Sequence, residues 1–128
     1  MENRDTTITA LREPIATSGE TNPDEAFQNR VLRPILKIQN DLLVDVFRNY
    51  VSKYKSDFYN FSPEKKMQFI DNAIHKDIKF RNSLKGMVIG LFTIEEYANY
   101  ITNSSSLNKR MMNMVIERLK SQLQLFEM

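Results

Sequence analysis

From Pro34 onward the apolar residues Ile35, Ile38, Leu42, Val46, Tyr50 and Tyr54 recur at steps of three or four, the spacing of one helix face. Leu36, Leu43, Phe47 and Val51 form a second row, so the pattern predicts a long helix with a wide buried face. Ahead of it, Asn22-Pro23-Asp24-Glu25 reads as a helix start, with a capping side chain, a proline suited to the first position and acids that complement the dipole. Pro34 has no N–H to donate and disfavours helix at Arg33, so the helix near 23–32 is expected to kink there or end.

Ser62-Pro63-Glu64 repeats the start signal, and Met67, Ile70, Ala73, Ile74 and Ile78 follow at helical spacing. Phe80, Leu84, Met87, Val88 and Leu91 predict a further helix that Gly90 is placed to end in a left-handed conformation. Thr93 and Glu96 have the spacing of a capping box, and Phe92 is placed to staple onto Tyr97. A short helix over 94 to about 103 follows. After Asn103-Ser104-Ser105-Ser106, the residues Leu107, Met111, Met114 or Val115, Leu119, Leu123 and Phe126 predict the last helix. No alternating strand pattern of useful length appears. The fold class expected is all-α, a compact bundle of five or six helices over residues 22–128. Residues 1–21 are Thr-rich and poor in apolar side chains, and are expected to form a flexible, disordered N-terminal tail.

Two segments are apolar on more than one face, Met87 to Phe92 and Met111 to Ile116. A helix of that kind is either central to a bundle or shared with a partner, and flexible Met side chains suit the second role.

Composition narrows the chemistry. The 128 residues include no cysteine and one histidine, His75, so disulfides, thiol catalysis and the usual zinc ligand sets are excluded, and no cofactor is expected. The net charge of +2 is far from that of a dedicated nucleic-acid binder. No apolar run reaches membrane-spanning length and the opening residues do not form a secretory signal, so no membrane insertion and a cytoplasmic location are expected.

Three stretches carry candidate chemistry. At the start of the last helix, Ser104, Ser105, Ser106 and Asn108 supply hydroxyl and amide groups beside Lys109 and Arg110. Cations in a first turn oppose the helix dipole, so a phosphate or carboxylate there would relieve them; the plainer alternative is one capping serine and two solvated cations. His75, Lys76, Asp77, Lys79, Arg81, Asn82 and Lys85 form a basic run in which Asp77 and Arg81 are placed to pair on a helix. His75 and Asp77 point to different faces, which argues against a catalytic pair. Phe47 to Phe61 interleaves aromatic and basic residues, including Lys53 and Lys55, as a base-stacking surface does, yet the helical spacing of Phe47, Tyr50, Tyr54 and Phe58 is that of a core stripe.

The stretches Phe27-Gln28-Asn29 through Leu32-Arg33-Pro34-Ile35-Leu36-Lys37-Ile38-Gln39-Asn40, Lys76-Asp77-Ile78-Lys79-Phe80-Arg81-Asn82 through Gly86, and Asn103-Ser104-Ser105-Ser106-Leu107-Asn108-Lys109-Arg110-Met111-Met112-Asn113 together resemble a group of small bacterial helical proteins, some of which bear an automatic glyoxalase label. The resemblance implies a stand-alone bacterial helical domain and carries over no catalytic residue. Enzymes properly bearing the glyoxalase name are β-rich metalloproteins, a chemistry that one histidine and no strand pattern do not support.

The function expected is therefore a non-enzymatic helical interaction module that docks another protein or a second copy of itself through Arg81, Asn82, Ser104, Ser105, Ser106, Asn108, Lys109, Arg110 and Met111. The alternatives are an RNA accessory protein using Lys76, Lys79, Arg81, Lys85, Lys109 and Arg110 on phosphates, and a small enzyme or sensor holding an anionic ligand near residues 104–110.

Overall fold

The computed structural model describes residues 3–13, 19, 22–54 and 57–126. The Asn3 side chain accepts the Thr6 N–H and opens helix α1 (Arg4–Ala10). This helix lies in the segment expected as a flexible tail. It is seated mainly by polar bonds, since Ile8 is its one buried residue. Arg4 donates to the carbonyls of Gly90 and Phe92 at 2.8 and 2.7 Å, and the Asp5 carboxylate accepts the Ile94 N–H at 3.1 Å. Arg12 meets both carboxylate oxygens of Glu96 at 2.6 Å and the Leu91 carbonyl at 3.0 Å. These arginines satisfy carbonyls that a helix end leaves without intrahelical donors. Composition judged the segment by its few apolar residues and so missed anchors that lie about eighty to ninety positions away. Residues 1–2, 14–18 and 20–21 of that segment lie outside the described residues.

Helix α2 (Pro23–Phe27) begins as expected, with Asn22 accepting the Glu25 N–H and Pro23 in the first turn. At Pro34 the helix neither ends nor breaks. Gln28–Leu32 forms a π turn, in which the Arg33 N–H reaches the Gln28 carbonyl, and α3 (Arg33–Ser52) continues from it. The missing N–H of Pro34 and the bulk of its ring are absorbed by this wider turn, so Pro23 to Ser52 is one helical rod.

A single 3-10 turn (Phe58–Asn60) leads to α4 (Pro63–Lys76), capped by Ser62. Asp77 ends α4 and caps α5 (Ile78–Ile89) through the Phe80 N–H. Gly90 terminates α5, but in a right-handed conformation (φ −59°, ψ −18°) rather than the left-handed one expected. Its lack of a side chain is explained by space, because a Cβ there would lie 3.0 Å from the Gly86 carbonyl oxygen. The Thr93/Glu96 capping box forms at the head of α6 (Ile94–Thr102). The Phe92 ring packs edge-on against Phe27 and Tyr100, not against Tyr97. Helix α7 (Ser104–Lys120) and a closing 3-10 turn (Leu123–Phe126) complete a bundle with no strand among the described residues.

Helix α7 is the central element and touches α3, α4, α5, α6 and the π turn. Met111, Met112, Val115, Ile116 and Leu119 are buried on it, facing Leu32, Ile35, Leu36 and Phe47 of the rod, Ile70 and Ile74 of α4, and Leu84 and Val88 of α5 in one continuous core. The two-faced apolar segment 111–116 is thus core. Phe47 is the hub of the aromatic part, with the rings of Tyr50, Phe58, Phe69, Phe80 and Phe126 within 6.3 Å. The stripe from Phe47 to Phe58 therefore serves packing; Lys55 lies outside the described residues.

The rod and α7 run in the same direction with a constant offset. Asp24 bonds Ser106, Gln28 bonds Arg110 and Asn40 bonds Gln122, each pair 82 positions apart. The offset is the same on both sides of the π turn.

Burial tends to raise the carboxyl of Glu96, but Arg12 and the Thr93 N–H outweigh it and hold that carboxyl below the ordinary glutamate value. A depressed carboxyl stabilises the fold above its unfolded value, and the contribution disappears as pH falls through the folded one. Arg12→Ala is expected to cost about 1–3 kcal/mol at pH 7. Urea unfolding from pH 7 to pH 3 checks this: the gap between wild type and variant should narrow on the acid side, and a gap independent of pH would show that the ion pair is not its source.

Candidate functional site

Between the two outer rungs of the 82-residue register, α3 and α7 part to leave a groove of about 690 Å³. Leu36 and Met114 give it apolar floor; Arg33, Arg110 and Arg118 bring three guanidinium groups; Asn40, Asn113 and Gln122 add amides. Arg110 and Arg118 are eight residues apart on α7, about 12 Å along its axis. Pro34 has a part here, since the π turn carries Gln28 at its first position and sets Arg33 at the start of α3.

The arginines differ in how they are partnered. Arg110 donates to the Gln28 amide oxygen at 2.8 Å, and its charge also acts on the Asp24 carboxylate. Arg33 makes one bond of 3.2 Å to the Asn29 amide oxygen, and Arg118 one of 3.4 Å to the Asn40 amide oxygen. A guanidinium has five donors, so both are largely unused. Burial, and then the charge of Arg33, lower the pKa of Arg118 below the ordinary arginine value. Among the described residues, neither forms an ion pair with a carboxylate. Glu117 also lines the groove, exposed and paired with none of the three. The Asn40 and Gln122 amides donate to each other at 2.8 Å in both directions and close the far end.

A hydroxyl, that of Ser121, also lines the groove. Ser121 donates its hydroxyl proton to the Arg118 carbonyl at 2.8 Å. Among the described residues no three of His, Cys, Asp and Glu converge as a metal site.

The residues expected to form a site are only partly brought together. At the start of α7 the anion is the protein's own Asp24, which accepts from Ser106 Oγ at 2.7 Å and from Asn103 Nδ2 at 2.8 Å. Hydrogen bonds from Ser106, then from Asn103, hold its carboxyl below the usual aspartate value. No serine caps α7; its cap residue is Asn103. Ser104 is half-buried and Ser105 exposed, while Asn108 accepts the Tyr100 hydroxyl. Lys109 is exposed and Arg110 lines the α3–α7 groove. Met111 is fully buried at 0% exposure, which removes it from any docking surface. Arg81 and Asn82 lie on α5, half-buried and exposed. The expected Asp77–Arg81 pair does not form among the described residues, because Asp77 instead accepts the Phe80 N–H and the hydroxyls of Tyr50 and Tyr54. Lys76 and Lys79 line a different hollow with those tyrosines and Phe69. Arg33 and Arg118 were missed, and each stands alone in a helical pattern where a cation reads as solvated surface.

Among the described residues no helix is long and apolar enough to cross a membrane. No protein-family model matches the chain, and no curated protein or solved structure is significantly similar to it.

Met111→Ala is expected to destabilise the fold by about 2–5 kcal/mol, the usual cost of emptying a fully buried site, and Lys109→Ala by less than about 0.5 kcal/mol. Chemical denaturation of both variants checks the assignment; a neutral Met111→Ala would place that side chain outside the core.

Proposed function

We propose that this protein is a binding domain for a small anionic molecule, one bearing a phosphate or carboxylate, held in the groove between α3 and α7. The observation that carries the reading is the pairing of Arg33 with Arg118, two neighbouring guanidinium groups that, among the described residues, bond only to neutral amides. Like charges brought together at a partly buried site repel, and a bound anion turns that repulsion into attraction with charge-assisted, bidentate geometry. Leu36 and Met114 offer the ligand an apolar bed, in the way small-molecule sites combine apolar lining with a few polar anchors. With Ser121 bonded to a carbonyl, the reading is of a binder rather than a catalyst.

A second reading, a protein-interaction module, draws on α6, whose outward face presents Ile94, Tyr97 and Ile101 at 70%, 47% and 57% exposure. On that reading a second copy covers the stripe, and light scattering gives a mass above the 15.1 kDa of one chain that Ile101→Asp returns to the monomer value. A monomer at every concentration removes it.

The groove reading is tested by thermal unfolding in phosphate against sodium chloride of equal ionic strength. At a hundredfold excess over Kd a bound ion stabilises by about 2.7 kcal/mol. The wild type should melt several degrees higher in phosphate, and Arg33→Gln and Arg118→Gln should lose most of that rise. Equal rises in all three proteins would contradict the proposal.

A further inference from the structure

Resting on the reading of this groove as an anion site, we infer that its ligand presents a doubly charged phosphate, a monoester or terminal phosphate, rather than a carboxylate or a phosphodiester. Charge distinguishes these ligands. Arg110 already has the Asp24 carboxylate acting on it and the Gln28 amide oxygen as a hydrogen-bond partner. Arg33 and Arg118 have amide partners only, each through one bond above 3.1 Å. A singly charged carboxylate or diester leaves one of these two cations uncompensated, whereas a phosphate monoester carries close to two negative charges at pH 7 and three acceptor oxygens, enough to meet both guanidinium forks at once. Glu117, exposed at the wall and bonded to none of the arginines, repels a dianion more than a monoanion, so the preference rests on the two guanidinium forks each meeting phosphate oxygens.

The groove also says what the phosphate is attached to. From the Arg33–Arg118 pair it continues toward Arg110, about 12 Å along α7 from Arg118, past Met114 with Asn113 beside it. A free inorganic ion leaves that length empty. An organic phosphate monoester places its ester group at the arginine pair and its body over Met114, with Arg110 and Asn113 as polar partners for the far end.

Titration calorimetry of the full chain at constant ionic strength separates these possibilities, using phenyl phosphate, its methyl diester, benzoate and inorganic phosphate as probes. Phenyl phosphate should bind about tenfold or more tightly than the diester and benzoate, the factor expected for an additional charge-assisted hydrogen bond. It should also bind more tightly than inorganic phosphate if the ring occupies the bed. The groups facing the groove are Glu117 on α7, the three arginines, and Asp24 behind Arg110; arginine and carboxylate side chains ordinarily keep their charge between pH 5.5 and 7.5, whereas the second phosphate proton leaves near pH 6. Affinity for phenyl phosphate should therefore fall as pH drops through that window while affinity for benzoate stays level. Arg33→Gln, at an exposed position whose loss leaves the core intact, should erase the preference for the monoester; Arg118→Gln should do the same. Benzoate or the diester binding as tightly as phenyl phosphate would overturn this inference and leave the anion site standing. Failure of all four probes to bind, or equal binding by the arginine variants, would overturn both.

Discussion

The rod from Pro23 to Ser52 lies beside α7 with both chains running the same way, and side chains 82 positions apart meet at Asp24–Ser106, Gln28–Arg110 and Asn40–Gln122. Two helices held parallel by polar bonds need a cause for staying in register, because an apolar interface by itself tolerates sliding. Here the cause is at the ends. Asp24 takes the place of an anion at the first turn of α7, and the reciprocal amide pair of Asn40 and Gln122 closes the other end, just past Lys120. Between those ends Leu32, Ile35 and Leu36 bury against Met111 and Val115 within the core. Because the register is held there, the outer edge of the same interface opens into the groove that collects Arg33, Arg110 and Arg118.

Several partly buried cations are settled internally. Arg12 has Glu96 on two bonds, Lys120 has Asp71 at 2.8 Å, and the nearly buried Lys66 donates to the Phe126 carbonyl at 3.2 Å. Exposed pairs such as Arg48–Asp45 add little, being solvated and screened. The Arg33–Arg118 pair stands apart from this pattern, with one cation half-buried and both bonded to amides alone. Two guanidinium groups brought together with no carboxylate bonded to either make a local excess of charge, and a ligand of opposite sign is the simplest physical complement.

Much of the fold was legible because its signals are local. Asn22-Pro23, Ser62-Pro63 and the Thr93/Glu96 box act over three residues, and each forms as written. The apolar steps through Phe47 and Met111 are helical periodicity alone. The misreadings share a different cause, contacts between residues far apart in the chain. Helix α1 is held by Arg4 and Arg12 on carbonyls near residue 90, which no composition window senses. At the start of α7 the hydroxyl of Ser106 and the amide of Asn103 meet Asp24, which lies about eighty positions earlier in the chain. At Pro34 the missing N–H alone predicts an interruption, whereas the π turn that absorbs it has Val31 and Leu32 packed in the core. Arg33 and Arg118 carry no motif; only the pairing of two distant helices makes them neighbours.

The most direct test observes the guanidinium groups themselves. In proton–nitrogen correlation spectra of the arginine Nε–Hε groups, added phenyl phosphate should shift the signals of Arg33 and Arg118 together, along one saturable curve, with Arg48 and Arg12 unmoved. Signals that shift together across all the arginines in proportion to salt, or that leave Arg33 and Arg118 in place, would contradict an anion site built by the parallel pairing of α3 and α7.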